Sequence, residues 1–297
     1  MKIALLCHDH DFRLGLESGI VNGATSCLYD YCEAFKKLGH EAEMVEYSGN
    51  IPEADIYFVQ SEWYSAQMDF FKKEQIKGKK LIVWLGHWVG GANYPYYDPK
   101  LIEADLFITT WKGEVVKKYE QDTGKRVHYI PHAFGEDRGG TKQANIVFAG
   151  NTYALRAERI LDGITIDRIA GIHPAEMPAY YRGAKICLNF HAPCQDGEIS
   201  THPSSLAQES GQALNDRTFK TSGAGGFQLC QEHSLLKEIF PNNEIVTFTN
   251  NQDLKEKIAY WLPREQERKE MAEKAQKVIL EKHTYLIRAK EILDLCV

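Results

Sequence analysis

The chain has 297 residues, 43% of them apolar, and a formal net charge of −6. That length suits two domains better than one, and the apolar share is that of a globular protein with a buried core. The acidic balance argues against a general nucleic-acid or membrane-surface binder, and no apolar stretch approaches the ~20 residues of a membrane-spanning helix. The opening run MKIALLC is too short for a signal peptide. The seven cysteines are scattered without a C-x-x-C pair. They read as reduced, buried thiols in a cytoplasmic protein.

Apolar runs of strand length alternate with helical patterns from end to end. The first half holds strand candidates at Lys2–Cys7, Glu41–Tyr47, Asp55–Gln60, Lys80–Leu85, Leu106–Thr109 and Val127–Ile130. The runs IALLC, IYFVQ and LIVWL are nearly unbroken, as in strands covered on both faces. Between the first two strands Ala24, Cys27, Leu28, Tyr31, Phe35 and Leu38 recur at helical spacing, and Gly39 stops the helix. Strand, helix, strand in that order predicts a parallel sheet with right-handed crossovers. The polar, glycine-rich stretch Gly135–Gln143 reads as a linker. Beyond it strands are expected at Asn145–Ala149, Ile166–Ile169, Ile186–Asn189, Phe227–Cys230 and Ile245–Phe248, and helices at Gln252–Trp261, Arg264–Lys282 and Tyr285–Leu295. The outline is α/β: two Rossmann-like, doubly wound domains, 1–134 and 143–282, facing a central cleft, followed by 283–297. The polar run His191–Gly211 is long for a connection and follows a strand directly, which puts it at the ligand-binding edge of a sheet.

Residues able to carry chemistry gather at the expected strand ends. The turn after the first strand holds His8-Asp9-His10-Asp11, then Glu17, Gly19 and Gly23. Its glycines would let a phosphate or sugar approach a helix N-terminus, but the pattern is not the G-x-G-x-x-G of dinucleotide sites. Four consecutive residues cannot all face one ion, and no second cluster completes a set, so no metal site is expected. One of Asp9 or Glu17 fits a general-base or sugar-contact role better. His87 follows LIVWL directly and is placed to meet a sugar hydroxyl or take a proton. His132 reads as structural. In the second half Asn151 and Thr152 open a helix that carries Arg156 and Arg159. The segment Asn215–Cys230, NDRTFKTSGAGGFQLC, reads as a short helix, a glycine-rich break and a buried strand. Arg217 and Lys220 share a helix face there. With Asn215, Thr218 and backbone N–H groups around Gly225, they would suit a diphosphate leaving group.

The stretches LNDRTFKTSGAGGFQLC, LLKEIFPNNEIVTFTNNQDLKEKIAYWL and EKHTYLIRAKEIL resemble the GT-B glycosyltransferases, and within them the spore-maturation CgeB-like branch. SGIVNGATSCLYDYCEAFKKLGHEAEMV resembles the first turn and helix of that fold more loosely. The resemblance implies a nucleoside-diphosphate-sugar donor, a UDP-sugar, held by the carboxy-terminal domain at Arg156 and the Asn215–Gly225 segment. Gly23 would lie near the donor phosphates and His87 against the donor sugar. It further implies an acceptor (a glycan, small molecule, protein or modified DNA base) on the amino-terminal domain, no required metal, and a last helix that crosses back to the first domain. Many members carry two glutamates eight positions apart. Gln212 and Lys220 stand there in this chain, and a lysine can donate to a ribose oxygen but cannot accept from its hydroxyls, which leaves a non-catalytic GT-B protein that binds a nucleotide or sugar as the alternative.

Overall fold

The computed structural model describes residues 1–7, 23–46, 51–60, 78–85, 104–149, 164–169, 171–191, 194–195, 198–199 and 213–296. The chain divides into two compact units, one of Met1–Pro131 with Tyr285–Val297, the other of His132–Thr284.

The first unit is built on β1 (Lys2–Cys7), α1 (Gly23–Lys37), β2 (Glu41–Glu46), β3 (Ile56–Gln60), β4 (Lys80–Leu85), β5 (Leu106–Thr109), α2 (Glu114–Thr123) and β6 (Val127–Tyr129). All six strands are parallel, in the order β2-β1-β3-β4-β5-β6. The unbroken apolar runs explain this: Ile3–Cys7, Ile56–Val59 and Leu81–Leu85 are buried throughout, as a sheet covered on both faces requires. Helix α1 buries Cys27, Leu28, Tyr31 and Phe35 on one stripe. It stops at Gly39, whose φ of 83° lets His40 N–H reach back to Phe35 O at 3.1 Å. The order reverses between β1 and β3, which makes their carboxyl ends the topological switch point of this sheet.

The second unit repeats the plan. It runs through β7 (Ala144–Ala149), β8 (Asp167–Ile169), α3 (Met177–Gly183), β9 (Ala184–Asn189), a two-residue-per-strand hairpin of β10 (Cys194–Gln195) and β11 (Glu198–Ile199), α4 (Asp216–Gly223), β12 (Gln228–Gln231), α5 (Leu236–Ile239), β13 (Val246–Phe248), α6 (Asn251–Trp261) and α7 (Glu265–Lys282). Its five main strands are parallel, in the order β13-β12-β9-β7-β8, and its switch point falls between β7 and β9. Alternate residues build two cores. Ile146, Phe148, Ile186, Leu188 and Leu229 face Leu254 and Ile258 of α6. Val147, Cys187 and Cys230 share the opposite face with Phe219 of α4 and Ile279 of α7.

The break between the units lies at Pro131–His132, ahead of the glycine-rich stretch read as a linker. That stretch is pinned to the second unit. Arg138 N–H and Lys142 N–H donate to Ala175 O and Ala179 O, both at 2.9 Å, and Arg182 pairs with Asp137. Gly183 is required where the stretch passes, because a Cβ there would lie 2.0 Å from Lys142 O.

The last helix, α8 (Tyr285–Leu295), belongs to the first unit and packs on α1. The Tyr285 ring meets Tyr31 edge-on at 4.7 Å. The buried Arg288 donates to Pro131 O at 3.2 Å and pairs with Glu291 at 3.1 Å. The architecture is therefore the expected pair of doubly wound α/β sheets, with the carboxy-terminal helix on the first.

Candidate functional site

In the second unit the polar side chains converge at the carboxyl ends of β7 and β9. Helix α4 begins at that edge, and its first residues are fixed from below. Asn215 caps it: its Oδ1 accepts from Thr218 N–H and Thr218 Oγ1, both at 3.2 Å. The Asn215 amide nitrogen donates to Asn189 Oδ1 at 2.8 Å and to Phe190 O at 2.9 Å, so the cap is tied to the end of β9. Asn189 is fully buried, and its own amide nitrogen donates to Thr218 Oγ1 at 3.0 Å and Gln228 Oε1 at 2.8 Å. A buried amide with all its groups occupied fixes geometry, because each lost partner would leave a desolvated polar atom.

Arg217 lies across the switch point. Its Nε donates to Asn189 Oδ1 at 3.3 Å, one terminal nitrogen to Ala149 O at 3.1 Å and the other to Phe190 O at 3.1 Å. The guanidinium sits over the Phe148 ring at 5.1 Å. It thus clamps the last carbonyls of β7 and β9 together. A guanidinium has five N–H donors. Three are used here, which leaves one N–H on each terminal nitrogen, and among the described residues no carboxylate pairs with it. A fixed cation with donors left over among the described residues, at a sheet's carboxyl edge, suits phosphate oxygens.

Lys220 is held differently. Its Nζ lies 3.2 Å from Asp216 Oδ2, one turn back on α4, and its side chain is only 12% exposed. Burial alone would raise the Asp216 carboxyl, but Lys220, His132 and Arg217 together hold it down at about 2. Burial, against the opposing pull of Asp216, pushes His132 down to about 4, with Lys220 adding to the shift. Asp216 is therefore an anion and His132 neutral at pH 7.

Beside β9, at the end of β12, lies a group that the sequence reading did not single out. His191 Nε2 lies 3.2 Å from Cys230 Sγ, its N–H donates to Gln231 Oε1 at 2.9 Å, and its ring is 4.9 Å from that of His233. Burial holds both imidazoles down, that of His191 well below the usual range with His233 and Arg217 adding to the effect. Burial also raises the Cys230 thiol, so it is no thiolate nucleophile. The sequence signal was present but weak: polar residues, Asn189 and His191, interrupt an otherwise apolar strand end.

Of the residues expected from sequence, the structure brings Asn215, Arg217 and Thr218 to the start of α4, with Lys220 in its last turn and paired back to Asp216. Gly225 is not with them. A crossover helix leaves the carboxyl edge and finishes at the amino edge, and the glycines form its far end. Gly225 has φ 77°, its N–H donates to Ser222 O at 3.0 Å, and Gly226 N–H donates to Thr221 O at 3.0 Å. These N–H groups close the helix and are not free for a phosphate. Gly223 and Gly226 are needed for close packing: a Cβ on Gly223 would lie 2.3 Å from the Phe134 ring. Thr218 is fully buried and acts as a link in the network. Gly23 is the first residue of α1. Asp9, Glu17, Gly19, His87, Asn151 and Arg156 lie outside the described residues. Among the described residues no group of three or more His, Cys, Asp or Glu side chains is placed to hold a metal ion, and no helix is long and apolar enough to cross a membrane.

A comparison with curated protein sequences returned no match. Among solved structures the chain is similar to sucrose-phosphate synthase from Thermosynechococcus elongatus, with a TM-score of 0.60 at 9% identity, covering 99% of this chain and 98% of that one. It is also similar to a mutant of the T4 phage BGT in complex with UDP-glucose (TM-score 0.58, 13% identity, 99% and 97% covered). The T4 phage BGT in complex with UDP and Mn2+ matches at TM-score 0.58 and 12% identity, with the same coverage. At such identities the likeness establishes the fold, that of the GT-B glycosyltransferases. The sequence model described as glycosyl transferase-like matches residues 136–294, from the stretch before β7 to the end of α8. That span is more than half of the chain and contains the whole Asn189–Arg217 network, and the chain belongs to the glycosyl transferase-like family.

Proposed function

We propose that the chain transfers a sugar from a nucleoside-diphosphate sugar, a UDP-sugar by preference, to an acceptor hydroxyl or amine. The observation that carries this reading is Arg217, a cation clamped across the switch point of the second sheet with two N–H groups unused among the described residues. Departure of a diphosphate builds negative charge on phosphate oxygens, and a fixed guanidinium stabilises that charge without reorganising. Family membership and the UDP-glucose complex of a protein of like fold support the same donor class. Asn215 and Thr218 hold α4 so that Arg217 stays in place, while Lys220 sets the charge of Asp216. In this reading Arg156 adds a second cation to the diphosphate, Asn151 contacts the donor, and Gly19 and Gly23 let the donor approach. His87 meets the sugar, with Asp9 or Glu17 as the base toward the acceptor. Within the family, the spacing of Asn215, Arg217 and Phe219 in LNDRTFKTSGAGGFQLC supports the spore-maturation CgeB-like branch as the finer placement.

No metal is needed in this scheme, because arginine replaces the charge that a divalent cation would supply. A net charge of −6 weighs against duplex DNA as the acceptor, since phosphate contacts carry most of the affinity of DNA-binding proteins. The test is calorimetric binding of UDP and UDP-glucose, followed by turnover of a nucleotide-sugar panel with and without EDTA. Absence of both binding and hydrolysis across the panel would refute the donor reading. Turnover abolished by EDTA and restored by Mn2+ would refute the metal-free scheme alone.

A further inference from the structure

Among the described residues three buried side-chain polar atoms have no hydrogen-bond partner: Gln60 Oε1, His233 Nε2 and Tyr285 Oη. Two of them stand at or just beyond the carboxyl end of a parallel strand, Gln60 closing β3 and His233 following β12. A buried donor or acceptor without a partner is costly, and natural chains keep few of them. The imidazole of His233 is the more informative, because its proton can be placed. Leu235 N–H donates to His233 Nδ1 at 3.2 Å. Nδ1 therefore carries the lone pair, and in the neutral ring the proton is on Nε2. The orphan is a donor, closed to solvent, beside the buried ring of His191.

We propose that His233 Nε2–H donates a hydrogen bond to an uncharged oxygen of the nucleotide sugar, a base or ribose oxygen or a sugar hydroxyl, and so contributes to donor specificity. This rests on the donor reading above. A neutral imidazole N–H brings no charge to meet a phosphate, so its partner is an uncharged oxygen. Burial lowers the His233 imidazole, the adjoining His191 is neutral, and the Cys230 thiol against His191 is protonated. A phosphate group belongs with Arg217 at the neighbouring β7–β9 switch point. The position agrees: β12 pairs with β9 in parallel register, Cys230 opposite Asn189, so His233 lies one strand along from the Arg217 clamp.

Two substitutions separate the ligand role from the local one. Asn places an acceptor where Nδ1 stands, and Gln places a donor where Nε2 stands. His233→Asn is expected to keep the bond from Leu235 N–H and melt like the wild type, but to bind UDP-glucose roughly tenfold more weakly by calorimetry. His233→Gln is expected to melt lower and keep affinity within about threefold. In the wild type the Nε2 proton resonance shifts on addition of UDP-glucose. If His233→Asn weakens UDP as much as UDP-glucose, the oxygen is on the nucleoside; if it weakens UDP-glucose alone, it is a sugar hydroxyl. Wild-type binding of UDP and UDP-glucose by His233→Asn, or an unmoved Nε2 proton in a saturated wild type, overturns the proposal and leaves the donor reading intact. A wild type that binds neither ligand overturns the donor reading, and the proposal with it.

Discussion

Replacing Arg217 by lysine tests the clamp and the donor site together. Lysine keeps the charge but donates from one nitrogen, so it cannot reproduce the fork that spans the carbonyls of Ala149 and Phe190. The guanidinium makes three bonds, at 3.3, 3.1 and 3.1 Å, and lies over the Phe148 ring. A hydrogen bond to a charged group contributes about 1.5–3 kcal/mol net. Arg217 is half-buried, so the lower end applies, and water reaches part of what is lost. With two bonds gone and one kept, the expected loss is about 2–3 kcal/mol. For a unit of about 150 residues that lowers the melting temperature by roughly 5–10 °C. Calorimetric melting resolves the second unit if the two melt apart, and UDP titration reads the site. The expected result is a lower melt with UDP affinity down at least tenfold. Unchanged melting would refute the clamp. A lowered melt with wild-type UDP affinity would show that Arg217 supports the fold and does not touch the diphosphate.

Four further outcomes are expected. Asn189→Ala removes the node that joins Asn215, Arg217, Thr218 and Gln228, and should cost about 3 kcal/mol or more in denaturant unfolding. Gly223→Ala drives a Cβ into the Phe134 ring and should cost about 1–3 kcal/mol, where a cost below that range would mean that the ring gives way freely. Gln60→Met removes an orphan acceptor from a residue that is 2% exposed, and should raise the melting temperature of the first unit. The fourth outcome concerns pH. His132 is held at about 4 in the folded chain against 6.5 when unfolded. The unfolded state then binds the extra proton between those values, so stability is complete above pH 6.5 and falls as pH drops toward 4. The shift corresponds to a ceiling of about 3–4 kcal/mol. Denaturant midpoints at pH 7, 6 and 5 should show a shallower slope for His132→Gln than for the wild type.

Most of the fold was legible because both sheets are parallel and covered on both faces. Strands such as Lys2–Cys7, Lys80–Leu85 and Leu106–Thr109 are therefore unbroken apolar runs, and the structure places them at those residues. Helices α2 and α3 were not individually legible. In α3 the sequence MPAYYRG is short and carries a proline, which local pattern treats as a break, yet proline is at home in a helix's first turn. The phosphate-friendly end of NDRTFKTSGAGGFQLC was readable from its residue types. Its polarity along the sheet was not, because glycines at a phosphate turn and glycines at a helix end look alike in sequence. Only the crossover direction sends Arg217 to the carboxyl edge and Gly225 to the other. His233 was invisible for a related reason: what marks it is the absence of a partner for one nitrogen, and partners across strands are set by register.

The placement of α8 has a consequence for the order of synthesis. The first unit needs Tyr285 against Tyr31 and Arg288 against Pro131, yet all of His132–Thr284 is made in between. At about 5–20 residues per second the ribosome takes roughly 8–30 s over that stretch. For that interval the six strands and α1 stand unfinished, with the Tyr31 side of α1 uncovered, while the second unit is free to fold as it emerges. The nascent chain should therefore mature out of sequence order, second unit first. A pause or truncation just before Tyr285 would leave a sound second unit joined to an unfinished first unit with an exposed apolar face, open to chaperones and proteases.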